Sequence, residues 1–232
     1  MTYLTHMKVI RLMFASMLTL SLVGCDLLSS LSDTDVASGL KEALRVGTDT
    51  SVAKTNRVNG YFGNAAIKIL LPEEAAVVQT SIGLIPGGQA LVDEVVLKMN
   101  RAAEQAAAEA TPIFVDAITG ITFQDARQIL EGDTNAATLY LEGNTRTQLY
   151  GLFKPKVEDA LSAVGIQTAW NSLINGYNAI PLVPDINPDL ADHTTQKALN
   201  GLFFMLATEE KKIRTDVSHQ VSDLLRQVFG GN

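Results

Sequence analysis

From Gln89 to about Gly120 the residues Val92, Val95, Val96, Met99, Ala103, Ala106 and Ala110 recur mainly at three- and four-residue intervals, and Phe114 and Ala117 continue the stripe past Pro112. Only an α-helix gathers such positions onto one face. The alanine-rich middle lets neighbouring backbones come close. Pro112 predicts a kink, because its ring removes one hydrogen bond from the helical ladder. No series of alternating strands accompanies this helix. The expected class is therefore all-α: a single-domain irregular helical bundle around a long central helix at about 89–119.

The flanking signals are helix starts and stops. Ser32-Asp33-Thr34-Asp35 fits a capping box and predicts a helix through Leu40 and Leu44 to Gly47, with a second short helix at about Asp49 to Val58. Asn59-Gly60-Tyr61-Phe62-Gly63-Asn64 is turn chemistry, and Ala65 to Leu71 reads as extended or helical. Pro72-Glu73-Glu74 suits a first helical turn, opening a helix that ends near Gly83. The glycine-rich run Gly83 to Gly88 lacks the preceding strand and the Lys-Ser or Lys-Thr pair of a phosphate loop, so it reads as a cap and turn.

Thr122-Phe123-Gln124-Asp125 and Thr145-Arg146-Thr147-Gln148 each predict a helix start, and Gly132 a C-cap. Pro155 is expected to end or bend the helix carrying Leu149 and Phe153, with a further helix carrying Val157 and Leu161 towards Gly165. Gly176 to Pro188 holds three prolines among apolar residues and reads as a loop that either packs or binds. Helix resumes from about Asp189 through Leu199, Leu202, Phe203, Leu206 and Ile213, and closes from Val217 to Phe229.

The first residues follow a different logic. Lys8 and Arg11 precede an apolar run from Leu12 to Val23 that is too short to span a bilayer, and Leu22-Val23-Gly24-Cys25 ends it at the only cysteine of the chain. This stretch resembles the lipobox of bacterial lipoproteins. The resemblance implies a signal peptide over 1–24, a lipidated tether over 25–32 and a helical domain over 33–232. It also implies a diacylglycerol on the Cys25 thiol and an acyl chain such as palmitate on its amine. Several chains hold a protein to a membrane stably where one does so marginally. By resemblance to enteric sorting signals, Asp26 favours the inner over the outer membrane, with the domain facing the periplasm.

Cleavage before Cys25 would leave 208 of the 232 residues, enough for one domain with a sizeable core. Losing Lys8 and Arg11 lowers the 18 basic residues to 16 against 25 acids, a net charge of −9. Such a balance argues against nucleic acid as partner. With Cys25 acylated no thiol remains for a disulfide or a cysteine metal site, and no cofactor signature is present.

Several separate motifs lie in one order along the chain: Met99 to Glu104, Ile113 to Ile118, Asp125 to Gly132, Ala136 to Thr138, and Leu199 to Phe203 leading to Glu209 through Arg214. Together they resemble the bacterial envelope family catalogued as domain of unknown function 4197, over roughly Gly39 to Gly230. The chain departs from that pattern around His193 and around Val217-Ser218-His219. What the resemblance implies is a helical, lipoprotein-like envelope protein, and it brings no reaction with it.

His193 and His219, the histidines outside the leader, belong to no zinc motif, and no Gly-x-Ser-x-Gly elbow occurs. Polarity instead stands where the helical wheel expects core. Glu210 falls between Leu206 and Ile213 with Arg214 beside it. Arg127 lies beside Phe123 and Leu130, and Arg146 beside Leu149 and Phe153. Asp93, Asn100 and Glu104 share one edge of the central stripe, whereas Arg101, Lys211 and Lys212 project outward.

Two readings of this polar cluster stay open: ion pairs between helices, or a polar cleft for an anionic or hydrogen-bonding ligand. If the Glu210–Arg214 pair is purely structural, replacing both members by Leu or Met should restore much of what a single replacement loses. The functional expectation is a membrane-tethered binding or scaffold module whose partner is an envelope lipid, peptide or protein. The alternative is an envelope hydrolase working through carboxylates such as Glu104 and Glu210. No catalytic residue can be assigned.

Overall fold

Ser32 opens the first helix by accepting the Asp35 N–H on its hydroxyl, with Asp33 and Asp35 in the first turn where the helix dipole favours acids. The computed structural model describes residues 32–76, 80, 88–163, 170, 171, 174, 175, 178, 181, 182 and 189–229. The lipobox, the 83–87 loop and most of 176–188 lie outside them. Among the described residues all regular structure is helical, which is the expected class. In chain order it comprises α1 (Asp33–Thr55), α2 (Gly88–Ala106), α3 (Ala110–Thr119), α4 (Phe123–Glu131), α5 (Ala136–Ser162), α6 (Leu190–Thr215) and α7 (Asp223–Phe229), with 3-10 turns at Glu73–Ala75, Ala107–Glu109 and Val217–His219.

Three expected boundaries are not boundaries. Gly47 does not end α1, because a Cβ built there would lie 3.6 Å from Leu206 and 3.8 Å from Ile213, so the glycine faces α6 inside a continuous helix. The buried hydroxyls beyond it turn back on their own helix, Ser51 donating to the Gly47 carbonyl and Thr55 to that of Ser51. Likewise Thr145 starts nothing. It sits buried within α5 and donates to the Leu141 carbonyl at 2.6 Å.

Pro155 also stays inside α5, on an exposed face next to an exposed Gly151, where water can solvate the carbonyl that lacks a proline N–H. The expected break at Pro112 does occur, one turn early. Its ring removes the bond to the Ala108 carbonyl, and the chain tightens into the 3-10 turn Ala107–Glu109 between α2 and α3.

This 88–119 column packs by its alanines: Ala102, Ala103, Ala106, Ala107 and Ala110 are all buried, which lets α5 and α6 approach closely. Helices α5 and α6 run antiparallel, since Thr138 meets Glu210, Arg146 meets Gln196 and Lys154 meets Asp189. At the centre Phe114 of α3 and Phe203 of α6 stack edge to face with centroids 5.9 Å apart. α1 covers α3, α4 and α6, and α7 lies across α1 at Gly39, where Val228 would touch any added Cβ. No described helix is long and apolar enough to cross a membrane.

Candidate functional site

Glu210 and Arg214 meet as the helical wheel implies, and what surrounds them is backbone. α5 begins at Ala136 without a side-chain cap from its own N-cap residue, Asn135. Glu210 supplies it from α6: its carboxylate accepts the Ala137 N–H at 3.0 Å, the Thr138 N–H at 2.8 Å and the Thr138 hydroxyl at 2.8 Å. An anion thus sits on a helix N-terminus, where the dipole stabilises it.

Arg214 Nε donates to Glu210 at 3.0 Å, while its terminal nitrogens reach the carbonyls of Ile129 and Leu130 at 2.8 and 3.4 Å, the C-terminal end of α4. The guanidinium also lies 5.8 Å from the Phe229 ring centroid. One buried ion pair therefore clamps the junction between α4 and α5, with each charge on the helix end whose dipole it complements.

A second assembly holds the segment after α1. Asn100 pairs with Ile69 as a neighbouring strand would, accepting its N–H at 2.9 Å and donating to its carbonyl at 2.7 Å. One turn on, Glu104 accepts the N–H groups of Tyr61 and Phe62, both at 3.1 Å. Asn59 just before them takes a left-handed φ of 65°. The fully buried Tyr61 donates its hydroxyl to the Ala198 carbonyl of α6 at 2.8 Å. Burial, and then the nearby Glu104 charge, push its pKa far up, so it stays a donor.

Arg101 is not simply solvated as expected: it bridges Glu104 at 2.5 Å and Asn59 at 2.9 Å, with the Phe62 ring 5.7 Å away. Asp93 lies apart on the exposed face, bonded to Gln89.

The remaining arginines do not join either assembly. Arg127 pairs with Asp33 on the surface between α4 and α1. Arg146 binds Glu142, Gln196 and Asn200 along the α5–α6 seam. The polar residues thus form separate fastenings between elements rather than one cleft.

Glu209, which the helical wheel also turns towards Leu202 and Leu206, is buried as deeply as Glu210 and binds Lys54 at 2.7 Å and Lys212 at 2.9 Å. Lys212 is thereby engaged rather than free. Burial alone would raise the Glu209 carboxyl, but the two ammonium groups outweigh it and hold the group below the usual carboxylate range. A depressed folded value stabilises fully above the unfolded pKa of about 4.3 and ceases to as pH falls through the lower folded one. The difference in urea midpoint between wild type and Lys54→Met is accordingly expected to be largest near neutral pH and to narrow in acid. A gap independent of pH would show that Lys54 acts by packing alone.

One small depression opens beside the Glu210–Arg214 clamp, walled by Leu40, Leu44, Leu206, Ile213 and Phe229, with a free volume of about 10 Å³, room for a single water. It is too small for an organic substrate. Asp216, Ser218 and His219 bring hydrolase residue types onto one exposed turn. Yet both the carboxylate, at 3.0 Å, and the hydroxyl, at 3.2 Å, approach the same Nδ1 of His219, so the ring cannot take the serine proton on one nitrogen while the acid orients the other, as a triad requires. His193 places Nε2 2.9 Å from the Leu70 carbonyl. Among the described residues no group of three His, Cys, Asp or Glu side chains is placed to hold a metal.

Fold and fastenings together define an all-helical domain in which the buried Glu104 and Glu210 each hold backbone N–H groups of a neighbouring segment. The family model described as Protein of unknown function (DUF4197) matches residues 30–230, and the chain belongs to that family. No curated protein and no solved structure matches it in the two other comparisons.

Proposed function

We propose that the chain is a lipid-anchored protein of the bacterial envelope, held by acyl chains on Cys25 with its helical domain on the periplasmic side. There the domain serves as a binding or scaffold module for an envelope lipid, peptide or protein. The observation that carries this reading is Leu22-Val23-Gly24-Cys25 at the end of an apolar run behind Lys8 and Arg11. Asp26 favours the inner membrane. A hydrolase working through Glu104 or Glu210 draws no support, because each carboxylate is spent on two backbone N–H groups and an arginine.

Cells fed a labelled fatty acid are expected to label the wild-type chain and not Cys25→Ser, whose precursor stays unprocessed, because no other thiol can receive the lipid. Label retained by the serine variant would overturn the tether. Fractionation of the labelled wild type then reads inner against outer membrane.

A further inference from the structure

Residues 26–32 alone separate Cys25 from the first helical residue, Asp33, a reach of at most about 29 Å even when fully extended. A lipid on Cys25 therefore keeps the N-terminal end of α1 close to the bilayer. The 23 residues of α1 carry its other end about 34 Å away. Val58, just past that far end, is 75% exposed.

Beside the near end stands an exposed aromatic. Phe123, the first residue of α4, is 56% exposed. Arg127, one turn further on the same face of α4, reaches across to Asp33. Lys41 of α1 donates to the Thr119 carbonyl at 3.0 Å, just before α4 begins. An exposed ring one turn from Arg127 and four residues past the Thr119 carbonyl that Lys41 holds, at the end where the tether enters, has the composition of a residue seated at the headgroup boundary. Asp33, Asp35 and Asp125 offset those two cations, so this end offers no net positive charge to anionic lipid.

Resting on the lipid anchor proposed above, we infer that the end of the domain formed by the N-termini of α1 and α4 sits on the bilayer that holds Cys25. Phe123 enters the headgroup region of a zwitterionic lipid surface, and the turn around Val58 points away from it.

The full chain, processed in cells and reconstituted into phosphatidylcholine vesicles with or without brominated acyl chains, tests this. An environment-sensitive dye is placed on Phe123→Cys or on Val58→Cys, both exposed positions, with circular dichroism checking that each variant folds. With Cys25 acylated, the added thiol is the only one that can react.

The dye at 123 is expected to shift to the blue and lose emission to brominated lipid, the dye at 58 to do neither, and phosphatidylglycerol in the vesicles to add nothing. Equal responses at 123 and 58 would overturn the inference and leave the tether standing. So would a dye at 123 that is shielded without being quenched by lipid, since a second copy or another protein would then cover that end. Dye uptake at Cys25 by the wild-type chain would show a free thiol, and the tether and the inference would fall together.

Discussion

Glu210→Ala is expected to lower the unfolding free energy by about 3–5 kcal/mol, the range for breaking a buried pair and stranding its partner charge. Arg214 is the partner, and the two side chains are 6% and 11% exposed, so water cannot take over. The variant also removes the acceptor that three donors of Ala137 and Thr138 share at the start of α5. That second loss reverses the expectation for the double variant. Were the two charges bound only to each other, Glu210→Leu with Arg214→Leu would recover most of the stability, as isosteric apolar replacement of a buried pair often does.

Here the pair ends on backbone. The double variant leaves the Ala137 and Thr138 N–H groups of α5 without partners, at about 1–3 kcal/mol for each buried group left unsatisfied, and the Ile129 carbonyl of α4 with only the Gly132 N–H at 3.3 Å. It should therefore stay close to Glu210→Ala. Arg127→Ala, from an exposed pair, serves as the reference and should leave stability nearly unchanged. Urea unfolding of the four proteins checks this. A single variant within about 0.5 kcal/mol of wild type would show the pair to be dispensable, and a double variant that recovers would show that charge pairing, not helix capping, holds the junction.

The difference between those outcomes marks what the amino-acid order could convey. A helical wheel places Glu210 and Arg214 on the buried side of α6 because direction around a helix depends only on local spacing. It cannot say what waits there, and the waiting groups are backbone atoms more than seventy residues away. Glu209 was equally within reach of the wheel, but its lysine partner on α1 was not.

Caps at Ser32 and Thr122 were legible because their bonds close within three residues. Gly47, Thr145 and Pro155 carry the same local marks of a boundary, yet α1 and α5 run through all of them. There, packing against α6 and exposure of the weakened carbonyl outweigh the preference of one residue, which is about 1 kcal/mol for glycine. The central stripe survived as a column because alanine packing needs only periodicity. Its polar edge, which suggested a cleft, is where the chain between α1 and α2 is pinned.

That pinning gives the other large effect. Glu104→Ala is expected to cost about 2–5 kcal/mol, since it strips the acceptor from the N–H groups of Tyr61 and Phe62 at about 1–3 kcal/mol each when buried, the half-buried Phe62 contributing less. Arg101 adds little to the loss, being part exposed and still bonded to Asn59. The turn has little room to swing those N–H groups towards another acceptor. Asn59 is already left-handed, and an atom added at Gly60 would fall 2.3 Å from the Thr55 carbonyl oxygen, so the backbone there has no slack.

Opening should consequently begin at this turn and spread to Ile69, whose own bonds to Asn100 lie one helical turn away. Native-state hydrogen exchange would show it as lost protection at Tyr61 and Phe62, with α5 and α6 still protected. Glu104→Gln keeps a carbonyl acceptor but not the charge, and bonds to charged groups contribute about 1.5–3 kcal/mol against about 0.5–1.5 for neutral ones. The amide variant should therefore fall between wild type and alanine in both stability and protection. If Glu104→Ala left the Tyr61 and Phe62 amides as protected as in wild type, Glu104 would not be what holds the turn, and its burial would again call for a ligand or a reaction to explain it.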